Sequence, residues 1–131
     1  VPVCGSDCIL TMVKATPPKD GANKTFPFTV AGAAGGPIGS SFIVKTNAGG
    51  IGGHKDEGIG HPSFVGTIKY TVGAFQPPLT QADSPACTTT LNNASTTWRV
   101  GTSGKGSSTK ISLEVITWAA GDTLTCVWHV H

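Results

Sequence analysis

The sequence predicts an all-β protein, a single β-sandwich of about seven or eight strands stapled by disulfides. Three observations carry that expectation. Short apolar stretches alternate with a period of two, as half-buried strands do, and clusters of Gly, Pro, Asn, Asp and Ser separate them. No stretch of helical length places its apolar residues at a 3.6-residue period. Four cysteines, an even number, sit in a Thr- and Ser-rich chain of 131 residues with only nine basic and seven acidic side chains. That composition suits a disulfide-bonded extracellular protein.

In chain order, residues 1–8 form a short leader. Residues 9–14 are the first strand, with Leu10 and Met12 on one face. Pro17, Pro18, Asp20 and Gly21 then mark a turn region that excludes helix. Residues 25–30 are the second strand, with Phe26, Phe28 and Val30 sharing a face and Pro27 placing it at an edge or a bulge. A Gly-rich connection leads to a third strand at 41–46. Residues 47–62 are read as a long surface loop, too rich in glycine for regular structure. Residues 63–72 resume strand character, and 75–86 form another loop. Residues 88–91 pair weakly. Residues 96–100 are a strand carrying Trp98, and residues 101–108 a flexible turn. The clearest signal comes last. Ile111, Leu113 and Val115 form one apolar face. Leu124, Cys126, Trp128 and Val130 form another, in strict alternation with Thr123, Thr125, Val127, His129 and His131. Residues 119–122 between them read as the turn of a closing hairpin.

The length suits one domain spanning residues 1–131. A net charge of +2 without a Lys/Arg cluster gives no footprint for nucleic acid. No apolar run is long enough to cross a bilayer. The chain opens on Val1 rather than Met, as a secreted protein does once its signal peptide is removed. Four cysteines allow three connectivities. The expected one is Cys4–Cys8 with Cys87–Cys126, because Cys126 points inward from a strand and Cys87 ends a loop rich in turn formers. Closing the long loop contributes roughly 4 kcal/mol through chain entropy, and the five-residue CGSDC loop about 2. Cys4 and Cys8 are not followed by a second close pair, so their spacing does not make a zinc site.

Several short motifs together resemble a known module. They are a strand ending in Lys14, the F-x-F-T-V strand at Phe26, S-F-x-V at Ser41, G-T-x-x-Y-T-V from Gly66 to Val72, and the closing A-G-D-T-L-T-C-x-W from Ala120 to Trp128. The pattern is similar to the prealbumin-like, CnaB/SpaA-type β-sandwich module of bacterial surface proteins and pili. The resemblance implies an immunoglobulin-like or prealbumin-like sandwich with a surface, stalk, pilus or adhesin role and no catalysis. Some such modules crosslink a Lys to an Asn with help from an acidic residue. Lys14 stands at the Lys position, but Gly73 replaces the acid and His129 or Val130 replaces the Asn. No isopeptide is expected here.

Other residue groups invite chemistry. His129 and His131 lie on one face of a strand, roughly 7 Å apart. With His54, His61 or Asp56 they could complete a copper or zinc site. The plainer reading is a polar outer face near the end of the last strand. The acids are scattered, and neither a G-x-S-x-G elbow nor an H-E-x-x-H pair occurs. GTSGKGSS lacks phosphate-loop spacing, since Arg99 stands where the first glycine belongs. Trp98, Trp118 and Trp128 are expected to pack in the core, with Trp118 the one placed to stack on a sugar. Asn23 and Asn93 begin N-glycosylation triplets.

The expected function follows: a non-enzymatic, secreted structural protein without a cofactor, the repeating subunit of an extracellular filament, pilus or surface layer. Its partner would be further copies of itself, joined by β-strand addition. Val1, Val3, Ile9, Leu10 and Met12 supply the apolar residues of the expected donor, residues 1–14. A monomeric adhesin binding surface glycans is the alternative, and a small copper or zinc protein the second.

Overall fold

The computed structural model of the chain describes residues 8–31, 41–57, 68–72, 78–79, 81–90, 96–104, 109–119 and 121–131. Nine strands lie among them: β1 (Cys8–Ala15), β2 (Thr25–Ala31), β3 (Phe42–Lys45), β4 (Ile51–Glu57), β5 (Ile68–Val72), β6 (Ala86–Thr89), β7 (Thr97–Ser103), β8 (Lys110–Thr117) and β9 (Thr123–Val130). A single 3-10 turn, Pro18–Gly21, follows β1. The strands form a four-stranded sheet in the order β4-β1-β9-β6 and a five-stranded sheet in the order β3-β2-β5-β8-β7.

Period-two alternation builds the core between these sheets. From the first sheet come Ile9, Val13 and Ala15 of β1 and Leu124, Cys126, Trp128 and Val130 of β9. The second contributes Phe26 and Phe28 of β2, Val44 of β3, and Ile111, Leu113 and Val115 of β8. Trp128 is fully buried, and Phe28 meets it edge-on at 5.4 Å between ring centres. Leu79, from the expected 75–86 loop, is buried in the same core.

Three expectations are corrected. The closing stretch is not a hairpin. β8 pairs with β5 and β7, whereas β9 pairs with β1 and β6, so the two last strands lie in different sheets. The 119–122 turn is real: Asp122 N–H donates to Ala119 C=O at 3.1 Å and Gly121 has φ +85°. It forms an arch between sheets. Both flanking strands face the core with their apolar residues, and two such strands can be neighbours in one sheet or opposites across a core. Buried side chains tie the arch down. Thr96 Oγ1 accepts from Ala119 N–H at 2.9 Å. Asp122 Oδ1 accepts from Thr90 N–H at 3.1 Å and Thr123 N–H at 2.8 Å.

The second correction concerns the Gly-rich stretch. Its residues 51–57 form strand β4, antiparallel to β1 along seven paired positions. Glycine there answers a steric demand. A Cβ on Gly52 would lie 2.4 Å from Lys45 C=O, and one on Gly50, at φ +73°, would lie 2.6 Å from Pro18 C=O. The glycines let β3 and β4 turn tightly from one sheet into the other. The third correction is smaller. β7 runs on to Ser103 and takes in the first residues of the expected 101–108 turn.

β1 is not an edge strand. It pairs antiparallel with β4 on one side and parallel with β9 on the other. Ile9, Leu10 and Met12, assigned to a donated segment from the sequence, are therefore already paired on both sides within the chain. Val1 and Val3 lie outside the described residues.

Candidate functional site

Among the described residues, the outer face of the four-stranded sheet carries a close group of polar side chains with chemical potential. Alternation along β9 turns Trp128 and Val130 into the core and leaves His129 and His131 outward. Beside this end of β9 runs the segment 81–83. Gln81 exchanges two backbone hydrogen bonds with His131, each 2.9 Å, and Asp83 N–H donates to His129 C=O at 2.8 Å. This continues the β6–β9 ladder one residue out of register, past Ser84 and Pro85.

That pairing delivers Asp83 between the two imidazoles. Its Oδ1 lies 2.9 Å from His131 Nε2 and its Oδ2 3.4 Å from His129 Nδ1. The rings sit 5.8 Å apart, tilted by 50°. The other ring nitrogen of His129, Nε2, is hydrogen-bonded to Thr16 Oγ1, just past the end of β1. The hydrogen bond from His131 holds the Asp83 carboxyl below its ordinary value; slight desolvation opposes this, and the charges of both histidines add to it.

The Thr16–His129–Asp83 relay has the connectivity of a nucleophile, base and orienting acid. Its surroundings are those of a structural clasp. Asp83 is 56 % exposed and His129 42 %, so water competes for the contacts that a buried acid would keep. The backbone donors of Thr16 and the residue after it are also unavailable to an oxyanion. Thr16 N–H is committed to Val130 C=O at 2.9 Å, and the next residue, Pro17, has none. The group ties three chain segments together: the end of β1, residues 81–83 and the end of β9.

The three described histidines do not converge on one site. Thr11 faces inward and has His54 and Cys126 as its cross-strand neighbours; Lys14 faces outward and has Ile51 and His129. His54 is therefore on the inner side of the sheet and His129 on the outer. His54 stacks on Phe42 at 3.9 Å, with its Nε2 3.2 Å from Asp56 Oδ1, and Phe42 stacks in turn on Phe28. This array bridges the sheets at the β3–β4 side. It sets His54 and Asp56 apart from His129 and His131, with which the alternative metal site would have joined them, and Asp56 belongs to strand β4, not to a surface loop. His61 lies outside the described residues. Among the described residues no group of three or more His, Cys, Asp or Glu is arranged to hold a metal ion.

Cys87 and Cys126 form a disulfide with Cα atoms 4.1 Å apart. They are directly opposed on β6 and β9, so the bond staples an edge strand to its neighbour within one sheet. Cys8 is also disulfide-bonded, and Cys4, its expected partner, lies outside the described residues. Trp118 packs against the core, as expected of the three tryptophans, and is not an exposed platform for a sugar. It is half-buried against the core with Nε1 shielded from solvent. Asn23 is exposed in a left-handed conformation at φ 53°; Asn93 lies outside the described residues. No helix among the described residues is long and apolar enough to cross a membrane.

No family model matches the chain, and no curated protein or solved structure matches it.

Asp83 is the member of the clasp that the sequence reading passed over as one scattered acid. A signal for it existed. Once Cys87 is placed opposite Cys126, an antiparallel ladder runs upstream from Cys87 as β9 runs downstream. That brings Asp83 alongside His129 and His131 to within one residue.

Proposed function

We propose that the chain is a secreted, non-enzymatic structural subunit, an immunoglobulin-like or prealbumin-like sandwich module. It polymerises into an extracellular filament, pilus or surface layer by β-strand addition. The observation that carries this reading is an open edge. Among the described residues β7 has a neighbour on one side only, and its Arg99, Gly101, Thr102 and Ser103 are exposed. An unpaired row of backbone donors and acceptors is a template for a strand from another chain.

Disulfide bonding supports the extracellular assignment, because such bonds persist in oxidising compartments. It also suits a building unit that must keep its shape without a cell's repair machinery. Negative-stain microscopy with sedimentation velocity tests the proposal. Regular assemblies are expected at high concentration. Single copies at every concentration, with no ordered particles, would overturn it.

A further inference from the structure

The edge strands of this molecule are not equally open. β3 and β6 have only four residues each, and Pro85 immediately precedes β6. β4 carries Lys55, Asp56 and Glu57 in succession. Short length, proline and charge are the usual means of discouraging edge-to-edge pairing. β7 lacks the first two, and the irregularity in its pairing with β8 is confined to its start, between Thr97 and Trp98. The strand is seven residues long without proline. Its single charge, Arg99, lies against Glu114 of β8 at 3.0 Å.

The sequence of β7 also fits itself. We infer that β7 pairs antiparallel with β7 of a second copy, about a two-fold axis through Val100. This rests on the reading of the chain as a subunit that assembles through its open edge, and it names the strand that the edge takes up. A two-fold axis normal to the sheet continues both faces only if inner residues meet inner residues. Trp98 and Val100 face inward and Arg99 and Gly101 outward, as their partners Val115, Leu113, Glu114 and Ser112 show.

Among registers that obey this rule, the one centred on Val100 pairs the whole strand. Val100 meets Val100, Trp98 meets Thr102, Arg99 meets Gly101 and Thr97 meets Ser103. A register centred on Arg99 would set two guanidinium groups opposite each other, which destabilises a ladder, and would pair fewer residues. Gly101 leaves room for the opposing Arg99, and a Val–Val pair at the axis suits a pleated sheet. The five-stranded sheet becomes a ten-stranded one across the axis. A seven-residue ladder is small beside the ~1,600 Å² of a standard stable interface, so the pairing depends on concentration and gains from repetition within an assembly. An isologous contact closes at two copies, and a filament would take a second, heterologous contact elsewhere on the surface.

The charge at position 101 tests the register. A Cβ there would lie 3.2 Å from Ser112 Oγ, so Gly101→Lys and Gly101→Glu make the same backbone-proximal contact in the fold. They differ across the axis, where Lys repels Arg99 and Glu attracts it. Hydrogen exchange of the full chain, at low and high concentration, reads the result. The solvent-side amides of residues 97–103 should slow several-fold at high concentration in the natural chain. Gly101→Lys should lose that protection, and Gly101→Glu should keep or increase it. Equal behaviour of the two variants, or exchange independent of concentration in all three proteins, would overturn the pairing. If ordered assemblies still form while β7 exchanges freely, the pairing fails and the assembly reading stands. Single copies at every concentration overturn both.

Discussion

The two sides of this molecule are closed by different means. On one side β3 and β4, the edge strands of the two sheets, are joined by five residues, 46–50. Thr46 is buried there: its Oγ1 donates to Gly21 C=O and accepts from Lys24 N–H at 3.0 Å. Asn47 Oδ1 accepts from Gly49 N–H at 2.8 Å and Ile51 N–H at 3.2 Å. The backbones approach so closely that Gly50 and Gly52 have no room for a side chain. On the other side the edges are β6 and β7, which follow each other in the chain through residues 90–96, of which 91–95 lie outside the described residues. β6 is fastened to β9 by the Cys87–Cys126 disulfide and the Asp83 clasp, and among the described residues β7 pairs with β8 alone. One side is closed by local packing. The other is closed covalently in one sheet and, among the described residues, left open in the next.

This contrast can be broken at either side. The largest effect is expected at the disulfide. Replacing both Cys87 and Cys126 by Ala should cost about 4 kcal/mol in denaturant unfolding, because the bond closes a loop of 39 residues. A cost near zero would show that the β6 side is held by other contacts. At the opposite corner, Gly52→Ala should cost about 1–3 kcal/mol by forcing β3 and β4 apart. The same change at Gly121 meets nothing within 4 Å, so it reports only the strain of a positive φ and serves as the control for packing. Thr46→Val keeps the shape but strands the Gly21 carbonyl and the Lys24 amide. About 1–2 kcal/mol is expected, read by the same denaturation.

The smallest effect belongs to the clasp. Asp83→Asn should cost less than about 1 kcal/mol near neutral pH, since the contacts are exposed. Its pH dependence is the sharper readout. The folded-state value of Asp83 is depressed, so its contribution is present above the ordinary carboxylate value and disappears as pH falls through the lower folded one. The difference in melting temperature between the natural chain and Asp83→Asn should therefore shrink as pH drops from about 5 towards 3. A difference that grows on acidification would show that the carboxylate does not act as the anion of the clasp.

Strand character was legible wherever one face is apolar and the other polar. β1, β2, β8 and β9 were all visible in the alternation of Ile9, Phe26, Leu113 and Trp128 with their polar neighbours. The inward cysteine of β9 was equally visible, and with it the Cys87–Cys126 bond. β4 was not, because its residues Ile51, Gly52, Gly53 and His54 have no apolar alternation. They form a strand because β1 offers a free edge and the corner tolerates only glycine. The clasp was half legible. Alternation alone puts His129 and His131 on one face, but Asp83 arrives from 46 residues upstream of His129, carried there by the disulfide-anchored ladder.

By itself the sequence determined the strands whose faces differ in polarity, which face of each is buried, and that cysteines brace the whole. These are local properties, set by the period of the backbone and the cost of hydrating apolar side chains. Only the tertiary structure decided which sheet each strand joins. The alternation of β8 and β9 is satisfied whether they pair side by side or face each other across the core. The arch at residues 119–122, anchored by Thr96 and Asp122, places them on opposite sides of it. Among the described residues β7 then ends the five-stranded sheet, which no local pattern in its own seven residues could show.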